Sequence, residues 1–266
     1  MSTENLLNEQ RIKELEIKLR QSVYDLDCCR KEKDEFIYIA SHDLKAPLRK
    51  VITFTERLVQ KAADKLNEHE LRLVERIQKN ILAMQSLIDD LSVFSEIERA
   101  VHFQKCDLNN IIEEVLTESE LKLKENESII HLSDLPTLGG NASQLKKVFE
   151  NLIENAILFQ PEGQAAEIII SSHLLGEDEK IKFNLPAEKI YYEIRFADNG
   201  IGFNENDAEQ ILKPFVKLNG QSSYPGNGLG LAVCDKIIKL HHGIFYANGI
   251  ENKGSVFVLI LPGFFQ

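Results

Sequence analysis

The sequence predicts an α+β protein of two unlike parts: a helical hairpin that becomes a four-helix bundle on dimerisation, and an α/β sandwich. Three observations predict it. First, Ile37, Ala40, Leu44, Pro47, Val51, Phe54 and Leu58 recur at alternating steps of three and four, the spacing of a helix seam buried against other helices. Second, Val74, Ile77, Ile81, Met84, Ile88 and Leu91 repeat that spacing after a break near residues 64–67. Third, the helical pattern stops around residues 97–104, and short apolar runs then interleave with helical ones, as in helices layered on a mixed sheet.

The elements follow in order. Residues 5–35 are polar but periodic: Ile12, Leu19 and Leu26 repeat every seven residues, with Leu15, Cys29 and Phe36 on the companion series. That predicts a short parallel coiled coil, weakened by Ser22 and Lys33 on its seam. Its phase joins the next seam through two successive steps of four, a stutter that locally unwinds a coiled coil. Two helices with one apolar seam each cannot bury themselves, so a homodimer is expected. Beyond residue 103, Phe103–Cys106 reads as a short strand, and Asp107 as the cap of a helix carrying Leu108, Ile111, Ile112, Val115 and Leu116. Residues 128–132 read as a strand, and Asn141-Ala-Ser-Gln144 as a capping-box-like start of the next helix. Residues 165–174 and 190–197 read as paired strands joined by a polar connection at 175–189. A helix over 228–242 and strands over 244–248 and 255–261 close the domain.

Composition limits the function classes. With 266 residues, 43% hydrophobic and 27% charged, the chain suits one large or two small soluble domains. A formal net charge of -11 disfavours nucleic acid and anionic membranes as partners. The most apolar run, 256–265, is broken by Pro262 and Gly263 and is far short of the roughly 20 residues of a spanning helix. No signal peptide is read either, and a cytoplasmic location is expected. Cys28, Cys29, Cys106 and Cys234 lack metal-ligand or framework spacing and are expected as reduced thiols.

Four groups of residues point to chemistry. His42 lies two residues from Ala40, roughly 200° around the helix from the seam, so it should face water. Asp43 beside it can hold or remove an imidazole proton, and Pro47 removes a helix hydrogen bond one turn on. Asn151 and Asn155, one turn apart, can bind a cation through oxygen and a phosphate through nitrogen without adding charge. Asp198-Asn-Gly200-Ile-Gly202-Phe203 places an acid at a strand end before two spaced glycines. Gly226-Asn-Gly228-Leu-Gly230-Leu231 precedes a helix whose first amide groups favour phosphate. Each motif alone also fits an ordinary helix or turn; their order along one chain is what carries the signal.

Phe36-Ile-Tyr-Ile-Ala-Ser-His42-Asp43-Leu-Lys45-Ala-Pro47 resembles the H-box of sensor histidine kinases, and the rest follows in that family's order. The Asn151/Asn155 helix resembles the N-box, the Asp198 segment the G1 box, Phe215 the F-box aromatic, and the Gly226 segment the G2 box. The resemblance implies ATP and Mg2+ as ligands, with Asn155 the magnesium ligand and Asn151 close to the same phosphates. It further implies Asp198 and Ser255 at adenine, and Gly200, Gly202, Gly226, Gly228, Gly230 and Leu231 around the nucleotide. Phe215 would anchor the ATP lid, with Lys217 where a basic residue commonly follows; only about ten residues separate Phe215 from Gly226, a short lid. The implied architecture is a coiled-coil signalling helix (1–35), a dimerisation and phosphotransfer hairpin (36–99), and an ATP-binding sandwich of the gyrase and Hsp90 type (103–266). The implied activity is autophosphorylation of His42, assisted by Asp43, and transfer to the receiver domain of a separate response regulator. The alternatives are a catalytically silent ATP-binding dimeric scaffold and a gyrase- or chaperone-like ATPase. Two residues depart from the family pattern. Leu158 stands where relatives often carry a phosphate-facing lysine; either Lys217, Lys146 or Lys147 supplies that charge, or affinity is reduced. Ala46 stands where phosphatase-active members carry a threonine or asparagine.

Overall fold

The computed structural model describes residues 3–62, 65–97, 102–161, 163–218 and 226–263, which divide into one unit ending at Glu96 and another beginning at Ile97. In the first unit a long helix, α1 (Thr3–Ala62), runs without interruption through Pro47 and pairs with α2 (Glu68–Glu96). Asn67 and Glu70 close a reciprocal cap at the start of α2: the Glu70 amide donates to Asn67 Oδ1 at 2.9 Å, and the Asn67 amide to Glu70 Oε2 at 2.8 Å. The Lys45–Asp89 ion pair (2.8 Å) and the Gln78–Thr55 hydrogen bond (3.3 Å) fix the helices antiparallel.

Those contacts show which side of α1 the hairpin uses. Lys45, Leu48, Ile52, Thr55 and Val59 are half-buried at steps of three and four, whereas Leu44, Val51, Phe54 and Leu58 of the predicted seam are exposed, Phe54 at 64%. On α2, Val74 and Ile81 are buried, and Ile77 and Met84 of the predicted seam are exposed. The predicted seams therefore hold two kinds of position: a row within the hairpin, and an apolar stripe that the single chain leaves uncovered.

The second unit is built on a five-stranded sheet of order β2-β4-β5-β7-β6: β2 (Ile129–Leu132), β4 (Glu167–Leu174), β5 (Tyr191–Asp198), β6 (Ile244–Ile250) and β7 (Gly254–Pro262). Only β2 and β4 are parallel. β1 (Gln104–Asp107) and β3 (Thr137–Gly140) form a separate antiparallel pair. α3 (Leu108–Glu118), α5 (Ala142–Leu158) and α7 (Gly230–Leu240) pack together, and a short α4 (Glu120–Glu125) follows α3. Leu108, Ile112, Val115, Leu145, Val148, Phe149, Ile153, Ile237 and Ile238 are buried, as are Ile168, Ile170, Ile194 and Phe196 of the sheet; Phe149 meets Phe196 with ring centroids 5.3 Å apart. Both expected helix caps are present, Asp107 accepting from the Asn109 amide and Asn141 from the Gln144 amide.

The connection at 175–189 departs from its reading as a polar loop. It contains α6 (Glu177–Lys182), and Phe183 and Leu185 pack on Leu175, Tyr191, Val258 and Ile260, a second apolar cluster. Six helical residues with Ile181 largely exposed carry too little periodicity to register as a helix in sequence.

Candidate active site

The site residues fall on the two units. His42 belongs to the helical backbone of α1, while its side chain lies outside the described residues, as does its predicted orientation towards water. Asp43 is exposed, and so is Ala46, one turn beyond His42.

In the second unit, Asp198 ends β5, and three donors converge on its carboxylate. Ser255 Oγ donates to Oδ2 at 2.6 Å, and the amides of Gly200 and Ser255 donate to Oδ1 at 2.9 and 3.3 Å. β5 pairs with β7 in a register that sets Asp198 opposite Ser255, so the sheet itself makes this contact. Burial pushes the Asp198 carboxyl above the ordinary carboxylate range, and the three hydrogen bonds pull the other way without prevailing. The turn that follows is tight. A Cβ at Gly202 (φ +59) would lie 2.1 Å from the Ile250 carbonyl oxygen, so only glycine fits.

α5 and α7 bring the asparagines to the glycine loop. Asn151 is buried, and its Nδ2 donates to the Gly230 carbonyl at 3.1 Å, in the first turn of α7. Its amide is therefore occupied in joining the two helices. Asn155, one turn on, is half-buried, and its side chain makes no hydrogen bond among the described residues. Beneath them burial raises the Cys234 thiol to about 12, so it is an inert neutral group.

The Phe215 amide donates to the Gly228 carbonyl at 2.9 Å, tying the lid's base to the glycine loop. Phe215 itself has φ 63 and is 56% exposed, a strained and uncovered aromatic. Lys217 is exposed, and the lid residues 219–225 lie outside the described residues. Leu158 comes under the same loop, its Cδ2 3.6 Å from where a Gly226 Cβ would stand. Two of the lysines expected to replace its missing charge are committed elsewhere: Lys146 pairs with Glu118 at 2.7 Å and Glu114 at 3.4 Å, and Lys147 with Glu150 at 3.2 Å.

Comparison with known proteins agrees with this geometry. The model of the His Kinase A (phospho-acceptor) domain matches residues 32–100, and that of the histidine kinase-, DNA gyrase B- and HSP90-like ATPases matches residues 140–263. The chain carries a sensor histidine kinase catalytic core. It is 31% identical over 245 residues to cyanobacterial phytochrome A of Nostoc sp., covering 92% of this chain and 30% of that protein. It is 29% identical over 238 residues to the adaptive-response sensory kinase SasA of Synechococcus sp., covering 86% of this chain and 59% of that protein. The chain thus spans about a third of the length of its phytochrome relatives. Full-length ShkA in complex with AMPPNP shares the fold, with a TM-score of 0.61, 20% identity, and coverage of 86% of this chain and 46% of that one.

The residues of this kinase core fit a magnesium nucleotide. A carboxylate kept buried at a strand end suits a neutral amino-bearing ring, and the free Asn155 amide offers a hard oxygen to magnesium. Among the described residues no group of three or more His, Cys, Asp or Glu could hold a metal alone, so the ion would take its remaining ligands from phosphate and water. No helix of the described residues is long and apolar enough to cross a membrane. Sequence reasoning missed Asn199, whose Oδ1 accepts from the Glu167 amide and Gln160 Nε2, both at 2.9 Å, bracing the loop before β4 against the Asp198 turn. Its place between Asp198 and Gly200 was the available signal. His241 was also missed, and nothing in its local sequence marks it.

Proposed function

We propose that the chain is an ATP-dependent protein histidine kinase that phosphorylates its own His42 and passes the phosphoryl group to an aspartate of a separate response regulator. The observation that carries this reading is the Asp198 carboxylate, held by Ser255 and Gly200 at the end of β5, in the same unit as the Asn151–Gly230 contact between α5 and the glycine loop. Asp198 would accept a hydrogen bond from the adenine amino group, with Ser255 fixing its rotamer. The amides at the start of α7 would face the phosphates, and Asn155 Oδ1 would hold magnesium, which neutralises charge on the transferring phosphate. An imidazole nitrogen of His42 attacks the γ-phosphorus, an N–P bond forms, the bond to the bridging oxygen breaks, and ADP leaves. Asp43 takes the imidazole proton.

The uncovered stripe of Leu44, Val51, Phe54 and Leu58 supports a homodimer, because a second copy would present the same stripe in return. The coiled coil at 1–35 would continue that contact. Ala46 offers no hydrogen bond to a hydrolytic water, so dephosphorylation of the regulator is expected to be weak. The test is incubation with γ-labelled ATP, then acid and alkali treatment. Label lost in acid and kept in alkali supports the kinase; no label with intact nucleotide binding leaves the silent scaffold, which Leu158 in place of a lysine would explain.

A further inference from the structure

α5 and α7 run antiparallel and are joined midway, where Cys234 Sγ donates to the Val148 carbonyl at 3.8 Å, and at two further points. One is the Asn151–Gly230 hydrogen bond described above. The other lies at the far end, where the Asn141 amide donates to His241 Nε2 at 3.0 Å. These two joints are ten residues apart on α5 and eleven on α7, about 15 Å of helix. His241 is 1% exposed, and its Nδ1 lies 2.8 Å from the Ile237 carbonyl, which can only accept. These two partners fix the tautomer: the proton is on Nδ1, and Nε2 offers its lone pair to Asn141.

The contact also explains an incomplete capping box. Asn141 Oδ1 accepts from the Gln144 amide at 3.1 Å, but the Gln144 side chain donates through Nε2 to the Ile97 carbonyl at 2.6 Å, and its Oε1 does not take the Asn141 amide that would complete the box. The imidazole of another helix takes the Asn141 amide instead. Gly140 allows the approach, since a Cβ there would stand 3.0 Å from the ring. Phe103 closes the pocket with its ring centroid 5.0 Å away.

We propose that His241 is a proton-sensitive positioning residue: neutral, it clamps the start of α5 to the end of α7, and protonated, it releases that clamp and weakens nucleotide binding. A proton on Nε2 would set one N–H against another, with no acceptor in place. The surroundings already oppose it. Burial lowers the His241 pKa below the ordinary imidazole value, and the neighbouring His242 acts in the same direction. From the other elements, Gly140, Asn141, Leu145 and Phe103 bring no charge, and Cys106, bonded to the Gly140 carbonyl, is a buried thiol held neutral. Released at Asn141, α5 would keep its joints to α7 at Val148 and Asn151 but lose the one at its start, and Asn155 would be held less firmly. This rests on the nucleotide site proposed above.

The test uses the full chain, magnesium and adenylyl imidodiphosphate, with equilibrium binding measured from about pH 8 to about pH 5.5. Gln at 241 can accept the Asn141 amide but cannot be protonated. Protonation of the nucleotide itself is common to both proteins and drops out of their ratio. The parent's Kd should rise about fivefold more than that of His241→Gln, and by linkage saturating nucleotide should lower the proton affinity of His241 by the same factor. A constant ratio overturns the proposal, as does loss of binding that follows unfolding by circular dichroism. The clamp is judged separately by NMR on the unliganded Asp198→Asn variant. The Asn141 amide resonance should move with the His241 titration, and an unmoved resonance rejects the clamp whatever the nucleotide does. No binding by the parent at the upper pH would reject the nucleotide site, and the affinity claim with it.

Discussion

The two units of this kinase core solve the same burial problem in opposite ways. In the unit from Ile97 onward, three helices lie on a sheet and Leu108, Ile112, Val115, Leu145, Val148, Phe149, Ile153, Ile170 and Ile194 are all fully buried. That core is complete within one chain. In the helical unit the only buried apolar residues among those described are Val74 and Ile81, while Leu44, Val51, Phe54, Leu58, Ile77 and Met84 are exposed. The proposed phosphoacceptor thus lies on the part whose apolar stripe a second copy is proposed to cover, and the proposed nucleotide site on the part whose core one chain completes. The difference separates two functions physically: binding can persist where phosphotransfer cannot.

The largest expected effect separates them outright. His42→Gln should abolish acid-labile labelling and leave nucleotide affinity unchanged, since position 42 belongs to α1 and the nucleotide residues to the other unit. Labelling that persists removes His42 as acceptor. Asp43→Asn should keep binding and slow labelling by about 10²–10⁴-fold, the usual effect of losing a general base. An unchanged single-turnover rate would reduce Asp43 to a surface acid.

How much of each unit could be read from sequence follows the same division. The helical seams were legible because a period of 3.5 persists over several turns, and so were the start of α2 at Glu68 and the caps at Asp107 and Asn141. What periodicity could not do was sort seam positions into those meeting α2 and those facing outward: Val74 and Ile77 look alike until the hairpin is folded. In the α/β unit Asp198, Ser255 and the glycines were legible through ordered motifs. α6 was too short to be seen, β3 carries two glycines in four residues, and His241 acts across a hundred residues on Asn141. Contacts of that range leave no local pattern.

A matched pair of substitutions tests the comparison thermodynamically. Ile112→Ala removes a fully buried side chain and should cost about 2–5 kcal/mol in the unfolding of the α/β unit, at any protein concentration. Phe54→Ser, at a side chain 64% exposed in the single chain, should leave that transition alone and raise the dimer dissociation constant, seen by sedimentation as dissociation at lower dilution. A Phe54→Ser protein that dimerises like the parent would mean that the stripe is not the interface.

The smallest effect has two signs within one residue. Asp198→Asn should weaken ATP binding about ten- to a hundredfold, as expected when a hydrogen bond to a charged acceptor is lost. The same change should stabilise the unliganded protein at neutral pH. Burial raises the Asp198 pKa above 3.8, so the folded state binds the proton more tightly than the unfolded chain does. The stability linked to that proton is fully present below the unfolded value and is lost as pH rises through the raised folded value. At neutral pH the parent therefore carries an ionised, desolvated carboxylate that Asn lacks. Asparagine can still accept the Gly200 amide through Oδ1, and Ser255 Oγ can turn to accept from Nδ2. Thermal unfolding of both unliganded proteins from acid to neutral pH should show the variant's advantage growing with pH. A variant less stable than the parent at neutral pH would show that the three hydrogen bonds outweigh desolvation. Asp198 would then be a structural acid of the β5–β7 pair, and the claim that its burial is a cost borne for the nucleotide would fail.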